Sequence, residues 1–332
     1  MIEHRRMARV GREVSVLGLG TWQLGADWGE VSEADAHAVL ESAVDTGVTF
    51  LDTADVYGDG RSEQAIAAFL RSHGADGITV ATKMGRRVEQ RPEHYSLDSF
   101  RAWTDRSRRN LGVDTLDLVQ LHCPPTEVID SDATYDALDT LVEEGAIAAY
   151  GVSVETCTQA LSAIARPGVA SIQIILNAFR LKPLDEVLPA AAGAGVGIIA
   201  RVPLASGLLS GGYDERTSFA PDDHRAYNRH GEAFDVGETF SGVDYGTGVA
   251  AAREFAALVR DHGPEGATPA QVALAWVAQQ PAVTTVIPGA RSADQARANT
   301  AAASLPPLAP ELVDGVRRIY DERLREAVHP RW

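Results

Sequence analysis

The sequence has little cysteine and no long apolar run. Only two cysteines, Cys123 and Cys157, occur among its 332 residues, which is too few for a disulfide framework, and they form no metal-ligand spacing. No segment approaches the ~18 consecutive apolar residues of a membrane span, and the first residues lack the apolar stretch of a signal peptide. We therefore expect a cytoplasmic protein without membrane association.

Positive charge is also scarce. Asp and Glu number 46 against 30 Lys and Arg, which gives a formal net charge of −16. A chain this acidic has no general electrostatic reason to bind nucleic acid, although a local basic pocket could still hold a phosphorylated small molecule. We see no linker, repeat or low-complexity tract, so residues 1–332 are expected to form one domain.

Eight short apolar runs predict β-strands. They are rich in Val, Ile and Leu, and several are apolar throughout, as expected of parallel strands buried on both faces. The runs cover residues 14–20, 48–52, 78–83, 116–122, 146–153, 170–176, 196–200 and 283–287.

Amphipathic segments between these runs predict helices. Ser32 and Thr268 are suitable N-caps, and Pro269 suits a first helical position. Gly47 and Gly74 suit helix ends. The segments with the clearest signals are 32–47, 62–74, 97–112 and 268–281.

Strand alternating with helix over eight cycles predicts an α/β fold, and the chain length suits a closed (β/α)8 TIM barrel with insertions. An open doubly wound sheet is the alternative, but its GxGxxG signature is missing, because residues 18–20 read GLG and no third glycine follows in register. Two segments exceed a minimal barrel. Residues 211–247 suggest a long lid or binding loop after the seventh strand, and residues 309–328 suggest an extra C-terminal helix.

Polar side chains follow several of the predicted strands. In a barrel, the C-terminal strand ends meet at one mouth, where function is expected. Taken singly, each residue has an ordinary explanation as a cap, a packed ring or a solvated charge. Their convergence on one mouth predicts a functional site. These residues are Asp52, Tyr57, Lys83, His122 and Ser153.

Four of these side chains suit the reduction of a carbonyl group. The hydroxyl of Tyr57 stays protonated at neutral pH, and a nearby ammonium such as that of Lys83 eases its proton release. The carboxylate of Asp52 would keep that ammonium charged and oriented. His122 could polarise the carbonyl oxygen through a hydrogen bond.

Longer stretches resemble the aldo-keto reductase superfamily, in the family's order and over nearly the whole chain. The motifs are TFLDTADVYGDGRSE (49–63), VATKMG (80–85), LVQLHCPP (118–125), AYGVS (149–153), IQIILNAF (172–179), PLASGLLSG (203–211), VIPGARSADQARAN (286–299) and VHPRW (328–332). The resemblance implies a TIM barrel with an N-terminal hairpin near residues 8–16. It also implies hydride transfer between nicotinamide C4 and a carbonyl carbon.

The resemblance implies a role for each polar residue. Tyr57 would be the general acid, Lys83 would tune it, and Asp52 would hold Lys83. His122 would orient the substrate carbonyl. The substrate pocket would be shaped by segment 211–247 together with Trp22, Trp28, Tyr57 and His122.

A cofactor site is implied as well, with the nicotinamide at the strand ends, the pyrophosphate under a strap and the adenosine near the last barrel helix. The nicotinamide end would involve Gly20, Thr21, Trp22, Asp52, Ser153, Gln173 and Arg201. The strap would involve Pro203, Leu204, Ser206 and Leu208, and the adenosine end Ile287, Gly289, Arg291, Ser292, Gln295 and Asn299. Arg291 beside a helix N-terminus suits a 2′-phosphate and favours NADP over NAD, unless it is a solvated loop residue.

The chain departs from the family pattern at three positions. Val154 stands where an Asn often contacts the carboxamide, and Ala298 stands where Glu is common. Arg201 stands where many members place a Tyr on the nicotinamide, although a guanidinium can also stack on a ring.

Other functions are compatible with parts of the pattern. A nucleotide-binding regulatory subunit of the same fold would show little turnover, and a dehydrogenase would work mainly in the direction of sugar or alcohol oxidation. A metal hydrolase would need HxH or HExxH, and a serine hydrolase would need G-x-S-x-G; neither motif occurs. The substrate and the oligomeric state are not indicated by the sequence.

Overall fold

A two-stranded hairpin precedes the barrel in the computed structural model, which describes residues 2–25 and 31–332. Strands β1 (His4–Met7) and β2 (Arg12–Ser15) pair antiparallel. Met7 and Val14 are fully buried in one cluster with residues of the barrel strands, such as Phe50 and Leu118. The hairpin therefore covers the N-terminal end of the barrel, and the C-terminal strand ends remain open.

Eight parallel strands form the barrel, as the sequence predicted. Neighbouring strands are hydrogen-bonded in chain order, and bridges from Leu17 to Val286 and from Gly20 to Gly289 connect the first strand to the last. The strands are β3 (Leu19–Gly20), β4 (Phe50–Asp52), β5 (Thr79–Met84), β6 (Leu118–His122), β7 (Tyr150–Ser153), β8 (Val169–Ile175), β9 (Gly197–Arg201) and β10 (Val283–Val286).

Helices surround the strands and bury their apolar faces against them. Ser32 and Thr268 cap their helices as predicted, each accepting a hydrogen bond from a backbone amide three residues further on. The helices are α1 (Glu33–Asp45), α2 (Arg61–His73), α3 (Leu97–Leu111), α4 (Thr126–Asp130), α5 (Asp132–Glu143), α6 (Cys157–Ile164), α7 (Val187–Ala194), α8 (His224–Tyr227), α9 (Tyr245–His262), α10 (Pro269–Ala278), α11 (Ala293–Ala301), α12 (Pro310–Arg323) and α13 (Arg325–Val328).

Several predicted boundaries were wrong. The run 14–20 divides between β2 and β3, because the Ser15 hydroxyl donates to the Leu17 carbonyl and turns the chain between them. The hairpin spans residues 4–15 rather than 8–16. The predicted helix 309–328 is interrupted at Leu324, whose side chain is fully buried and whose backbone leaves the helical region.

Segment 211–247 contains more regular structure than a loop. It includes α8, two 3₁₀ turns at Val236–Glu238 and Phe240–Gly242, and the start of α9. The segment lies over the open end of the barrel and contributes side chains to the cavity there. Within the described residues, no helix is both long enough and apolar enough to cross a membrane.

Candidate active site

Lys83 is the centre of a buried polar cluster at the end of β5. Its Nζ donates to Asp52 Oδ1 at 2.5 Å, to the Thr53 carbonyl at 2.9 Å and to the Tyr57 hydroxyl at 3.3 Å. The side chains of Lys83 and Asp52 are only 1% and 3% exposed. A buried ammonium with three oxygen acceptors is fully satisfied, so Lys83 is held as a fixed positive charge beside the phenol.

Two glutamines complete the surroundings of Asp52. Gln120 and Gln173 donate to its Oδ2 at 3.2 and 2.8 Å. The two side chains extend from β6 and β8 into the barrel interior, and both are buried. The carboxylate is thus bonded through both oxygens, which fixes the direction in which it holds Lys83. Gln173, expected at the carboxamide by resemblance, here donates to Asp52 while still lining the cavity.

Strand register explains why the other polar residues meet. Gly20 pairs with Asp52 across β3 and β4, and Ser153 pairs with both His122 and Gln173 across β6, β7 and β8. Residues in register on neighbouring parallel strands lie side by side, and the C-terminal ends of the barrel strands meet at one mouth. The strand-end residues therefore form one ring around the mouth.

Tyr57 lies on a tight turn that only glycine can complete. Gly58 has φ +59°, and a Cβ at this position would lie 1.9 Å from the Gly25 carbonyl oxygen. Because this approach is so close, the turn at residue 58 and the loop at residue 25 fit together only without a side chain. The turn is thereby fixed, with the Tyr57 hydroxyl directed to Lys83.

The phenol of Tyr57 is hard to ionise. Burial raises its pKa, and the negative charge of Asp52 raises it further, while the charge of Lys83 opposes both effects. Burial also disfavours the charge of Lys83, but the attraction of Asp52 and the hydrogen bond to Tyr57 outweigh it, so the pKa of Lys83 is raised. At neutral pH the pair is therefore a neutral phenol beside an ammonium.

His122 stands at right angles to Tyr57, with ring centroids 5.9 Å apart. Burial lowers its pKa well below the usual value, and the positive charges of Arg86, Lys83 and Arg201 lower it further. Its Nδ1 is buried without a hydrogen-bond partner among the described residues, which leaves Nε2 to face the cavity. His122 is therefore a neutral imidazole that can donate from Nε2.

A cavity of ≈ 940 Å³ extends from this cluster to the N-terminal end of α11. Such a volume lies near the upper end of small-molecule sites, as an elongated ligand requires. Most residues that the resemblance assigns to a cofactor line it. They are Gly20, Thr21, Trp22, Asp52, Ser153, Gln173, Arg201, Pro203, Leu204, Ser206, Ile287, Gly289, Arg291, Gln295 and Asn299.

Two residues of the predicted site lie elsewhere. Leu208 does not line the cavity, because its side chain is fully buried in the core outside the barrel. Ser292 is the N-cap of α11, where its hydroxyl accepts from the Gln295 amide. Trp28 lies outside the residues that the structure describes.

One wall of the cavity carries two ion pairs that sequence reasoning missed. Arg201 pairs with Glu238 and also donates to the Val154 carbonyl at 3.0 Å. Arg86 lies 3.5 Å from a Glu155 oxygen. In both Glu238 and Glu155, one carboxylate oxygen pairs with the arginine. The other oxygen accepts no hydrogen bond from the described residues. The wall thus presents alternating donors and acceptors to the cavity.

Another part of the cavity wall is aromatic. Trp22 stacks on Tyr57 with centroids 5.9 Å apart and planes inclined by 19°. His224 and Phe234, both from segment 211–247, lie 5.4 and 5.9 Å from the Trp22 ring. The expectation that this segment shapes the pocket fits their position. No local pattern in the segment distinguishes these two residues from its other aromatic side chains.

Comparisons with known proteins agree with this architecture. The model of the aldo/keto reductase family matches residues 16–321, so the chain belongs to that family. It is 28% identical over 301 residues to aldo-keto reductase YhdN of Bacillus subtilis (strain 168), covering 90% of this chain and 87% of that protein. It is 33% identical over 232 residues to a D-threo-aldose 1-dehydrogenase of Pseudomonas sp, covering 61% of this chain and 70% of that protein.

Among solved structures, a glycerol dehydrogenase from Gluconobacter oxydans superposes with a TM-score of 0.79. The two are 27% identical, and the alignment covers 97% of this chain and 96% of the other. The similarity therefore extends over nearly the whole chain.

Proposed function

We propose that this protein is an NADP-dependent oxidoreductase that interconverts a carbonyl compound and its alcohol, with Tyr57 as the proton donor in reduction. The observation that carries the proposal is Lys83, which contacts both the Asp52 carboxylate and the Tyr57 hydroxyl at the floor of a ligand-sized cavity. Family membership supports the reaction class.

The proton chemistry follows from the charges around the phenol. A carbonyl oxygen that gains negative charge during reduction needs a donor within hydrogen-bond reach. Tyr57 is protonated at neutral pH, and the Lys83 ammonium stabilises the phenolate that remains after transfer. His122 is neutral and can donate a second hydrogen bond, which stabilises the same oxygen without competing as an acid.

The cavity fits a dinucleotide cofactor. Arg201 Nε is buried beside the cavity with no hydrogen-bond partner in the described part of the chain, so a polar ligand could satisfy it. At the other end, Arg291 and the amides that begin α11 suit a phosphate. A bound nicotinamide would supply or accept the hydride. We place it near Ser153 and Gln173, and its adenosine phosphate near Arg291.

The two walls favour a substrate that carries several hydroxyl groups. Aromatic rings such as Trp22 pack against C–H faces, and the carboxylates of Glu155 and Glu238 can accept hydrogen bonds from hydroxyl groups. The guanidiniums beside them donate to hydroxyl oxygens. The names of two relatives, an aldose dehydrogenase and a glycerol dehydrogenase, agree with this substrate class.

Steady-state assays with NADPH and NADH against a carbonyl panel test the proposal. Glyceraldehyde and propanal form a matched pair that differs in hydroxyl groups, and we expect a KM for glyceraldehyde at least about tenfold lower, as one or two extra hydrogen bonds allow. Equal KM values would contradict the hydroxylated substrate class. Tight NADPH binding without turnover of any carbonyl would instead support a regulatory subunit. Faster turnover of polyols with NADP would indicate oxidation as the main direction.

Glu238→Gln tests the same wall from the protein side. We expect the KM for glyceraldehyde to rise and that for propanal to stay constant, because only the first substrate uses the carboxylate. Glu232→Gln is the control, since Glu232 lies in the same segment with an exposed side chain. An equal change for both substrates would assign Glu238 a purely structural role.

A further inference from the structure

Beneath the turn that bears Tyr57 lies a second buried carboxyl that the reaction does not use. Asp55 is fully buried, and neither carboxyl oxygen has a hydrogen-bond partner among the described residues. Its main chain, by contrast, is tightly held. The amide donates to the Lys83 carbonyl at 3.1 Å, and the carbonyl accepts from Arg106 at 3.0 Å. An unpaired buried carboxyl is stable only in its neutral form.

A second carboxyl, that of Glu63, acts on Asp55 from α2. Glu63 is also fully buried, but both its oxygens are satisfied, by the Thr82 hydroxyl at 2.6 Å and the Asn110 amide at 2.7 Å. The pair is therefore asymmetric. Within the described part of the chain, only the Glu63 carboxylate of the two is held by hydrogen bonds, and its negative charge opposes ionisation of Asp55.

Two arginines connect Asp55 to the outer side of the turn. Arg87 and Arg106 both pair with the exposed carboxylate of Asp59, and both also donate to the Asp55 carbonyl. Asp59 follows Tyr57 by two residues and has a left-handed backbone, with φ +54°. The guanidiniums therefore hold the turn from outside, on either side of Tyr57.

We propose that Asp55 is a positioning residue for Tyr57 and that its ionisation releases the turn. While Asp55 is neutral, Arg87 and Arg106 remain on Asp59 and on the Asp55 carbonyl, and Tyr57 stays against Lys83. Once Asp55 is charged, its carboxylate competes for the same guanidiniums. They leave their present acceptors, and the Tyr57 hydroxyl moves away from Lys83. The proposal rests on the proposed function only where activity is its readout.

The groups around Asp55 set the pH at which this happens. Burial raises the pKa of Asp55 to about 7, and the charge of Glu63 adds to the rise, while Arg87, Arg106 and the Val56 amide oppose it. Tyr95 also interacts with Asp55, whose charge contributes to raising the pKa of Tyr95. The pKa of Tyr95 is raised to about 12, so it stays neutral across this range.

The experiment compares the wild type with Asp55→Asn, which mimics the neutral carboxyl, over pH 5 to 10. We expect wild-type kcat for reduction to fall above pH 7, by up to about 100-fold at pH 9 if the charged form is inactive, and kcat of Asp55→Asn to stay level. Glu63→Gln removes a negative charge and should move the wild-type midpoint to lower pH. Asp76→Asn, at an exposed site, should follow the wild type.

Carbon NMR of Cζ-labelled tyrosine gives a readout that needs no turnover. The Tyr57 signal, assigned with Tyr57→Phe, should shift with a midpoint near 7 in the wild type and show no such step in Asp55→Asn. A step that persists in Asp55→Asn, in kcat or in the Tyr57 signal, would overturn the proposal. A wild type that shows the NMR step but reduces no carbonyl would instead count against the proposed function alone.

Discussion

The ammonium of Lys83 lies 2.5 Å from the carboxylate of Asp52, and both side chains are almost entirely excluded from water. Removal of one partner from such a pair leaves an uncompensated buried charge, which is far more costly than the loss of an exposed ion pair. The same contact holds the charge that acts on Tyr57. The pair therefore links the stability of the barrel mouth to the acidity of the phenol.

Lys83→Met is expected to lower the free energy of unfolding by about 3–5 kcal/mol, because Asp52 is then buried without its counter-charge. Denaturant unfolding at pH 7 measures the effect. Lys182→Met is the control, since it changes the other lysine of the chain at a half-buried site and should alter stability by about 0.5 kcal/mol or less. Equal effects of the two substitutions would show that the contact between Lys83 and Asp52 does not contribute to the free energy of unfolding beyond an ordinary lysine side chain.

His122 is expected to remain neutral well below pH 6.5. Burial and the charges of Arg86, Lys83 and Arg201 all disfavour the imidazolium. Because the unfolded chain binds this proton with an ordinary pKa, the native state loses stability as pH falls below about 6.5. Nitrogen NMR of the imidazole, assigned with His122→Asn, should report a neutral ring at pH 5.5. A signal that titrates near pH 6.5 would contradict the environment described here.

Arg291→Ala is expected to weaken NADPH binding by about 10- to 100-fold, the effect of one charge-assisted contact, and to leave NADH binding nearly unchanged. The reason is that only NADPH carries the 2′-phosphate that we assign to the Arg291 end of the cavity. Fluorescence titration with both nucleotides measures the difference. Equal losses for the two cofactors would remove the 2′-phosphate from this position.

Trp332→Ala is expected to lower stability by about 3–5 kcal/mol, as for other buried aromatic truncations, and also to raise the KM for glyceraldehyde. The Trp332 indole donates to Asp235 at 3.2 Å and lies under the Arg180 guanidinium at 4.2 Å. Asp235 begins the 3₁₀ turn that ends at Glu238, so the indole anchors the segment that bears the acidic wall. Arg318→Ala, at an exposed position of α12, is the control. An unchanged KM in a folded Trp332→Ala protein would show that Trp332 does not position the part of the segment that lines the pocket.

The sequence predicted the ring of polar residues because the rule behind it is geometric. Parallel strands of a barrel end at one mouth, so a polar residue that closes an apolar run must lie there. Asp52, Lys83 and His122 followed this rule, whereas the role of Tyr57, five residues after Asp52, came from the resemblance to the aldo-keto reductase motif. Strand ends are read from local composition, and no long-range information is needed to place them.

The charged wall could not be predicted in the same way. Glu238 reaches Arg201 from a segment without hydrophobic periodicity, and nothing in its neighbours indicates which side chain turns inward. Asp55 belongs to the same motif as Tyr57, yet its pKa depends on its burial, on the charge of Glu63 and on arginines of other elements. The division of the run 14–20 depends on one hydroxyl, that of Ser15, which bonds to a backbone carbonyl two residues away.

The most direct test of the proton-donor assignment is single-turnover reduction of glyceraldehyde by Tyr57→Phe with NADPH already bound. The substitution removes one oxygen and retains the ring that packs on Trp22, so the NADPH dissociation constant should stay within about twofold. We expect the rate of reduction at pH 6.5 to fall by about 10²–10⁴-fold, the usual contribution of a positioned acid. A rate equal to that of the wild type would show that the proton comes from another group.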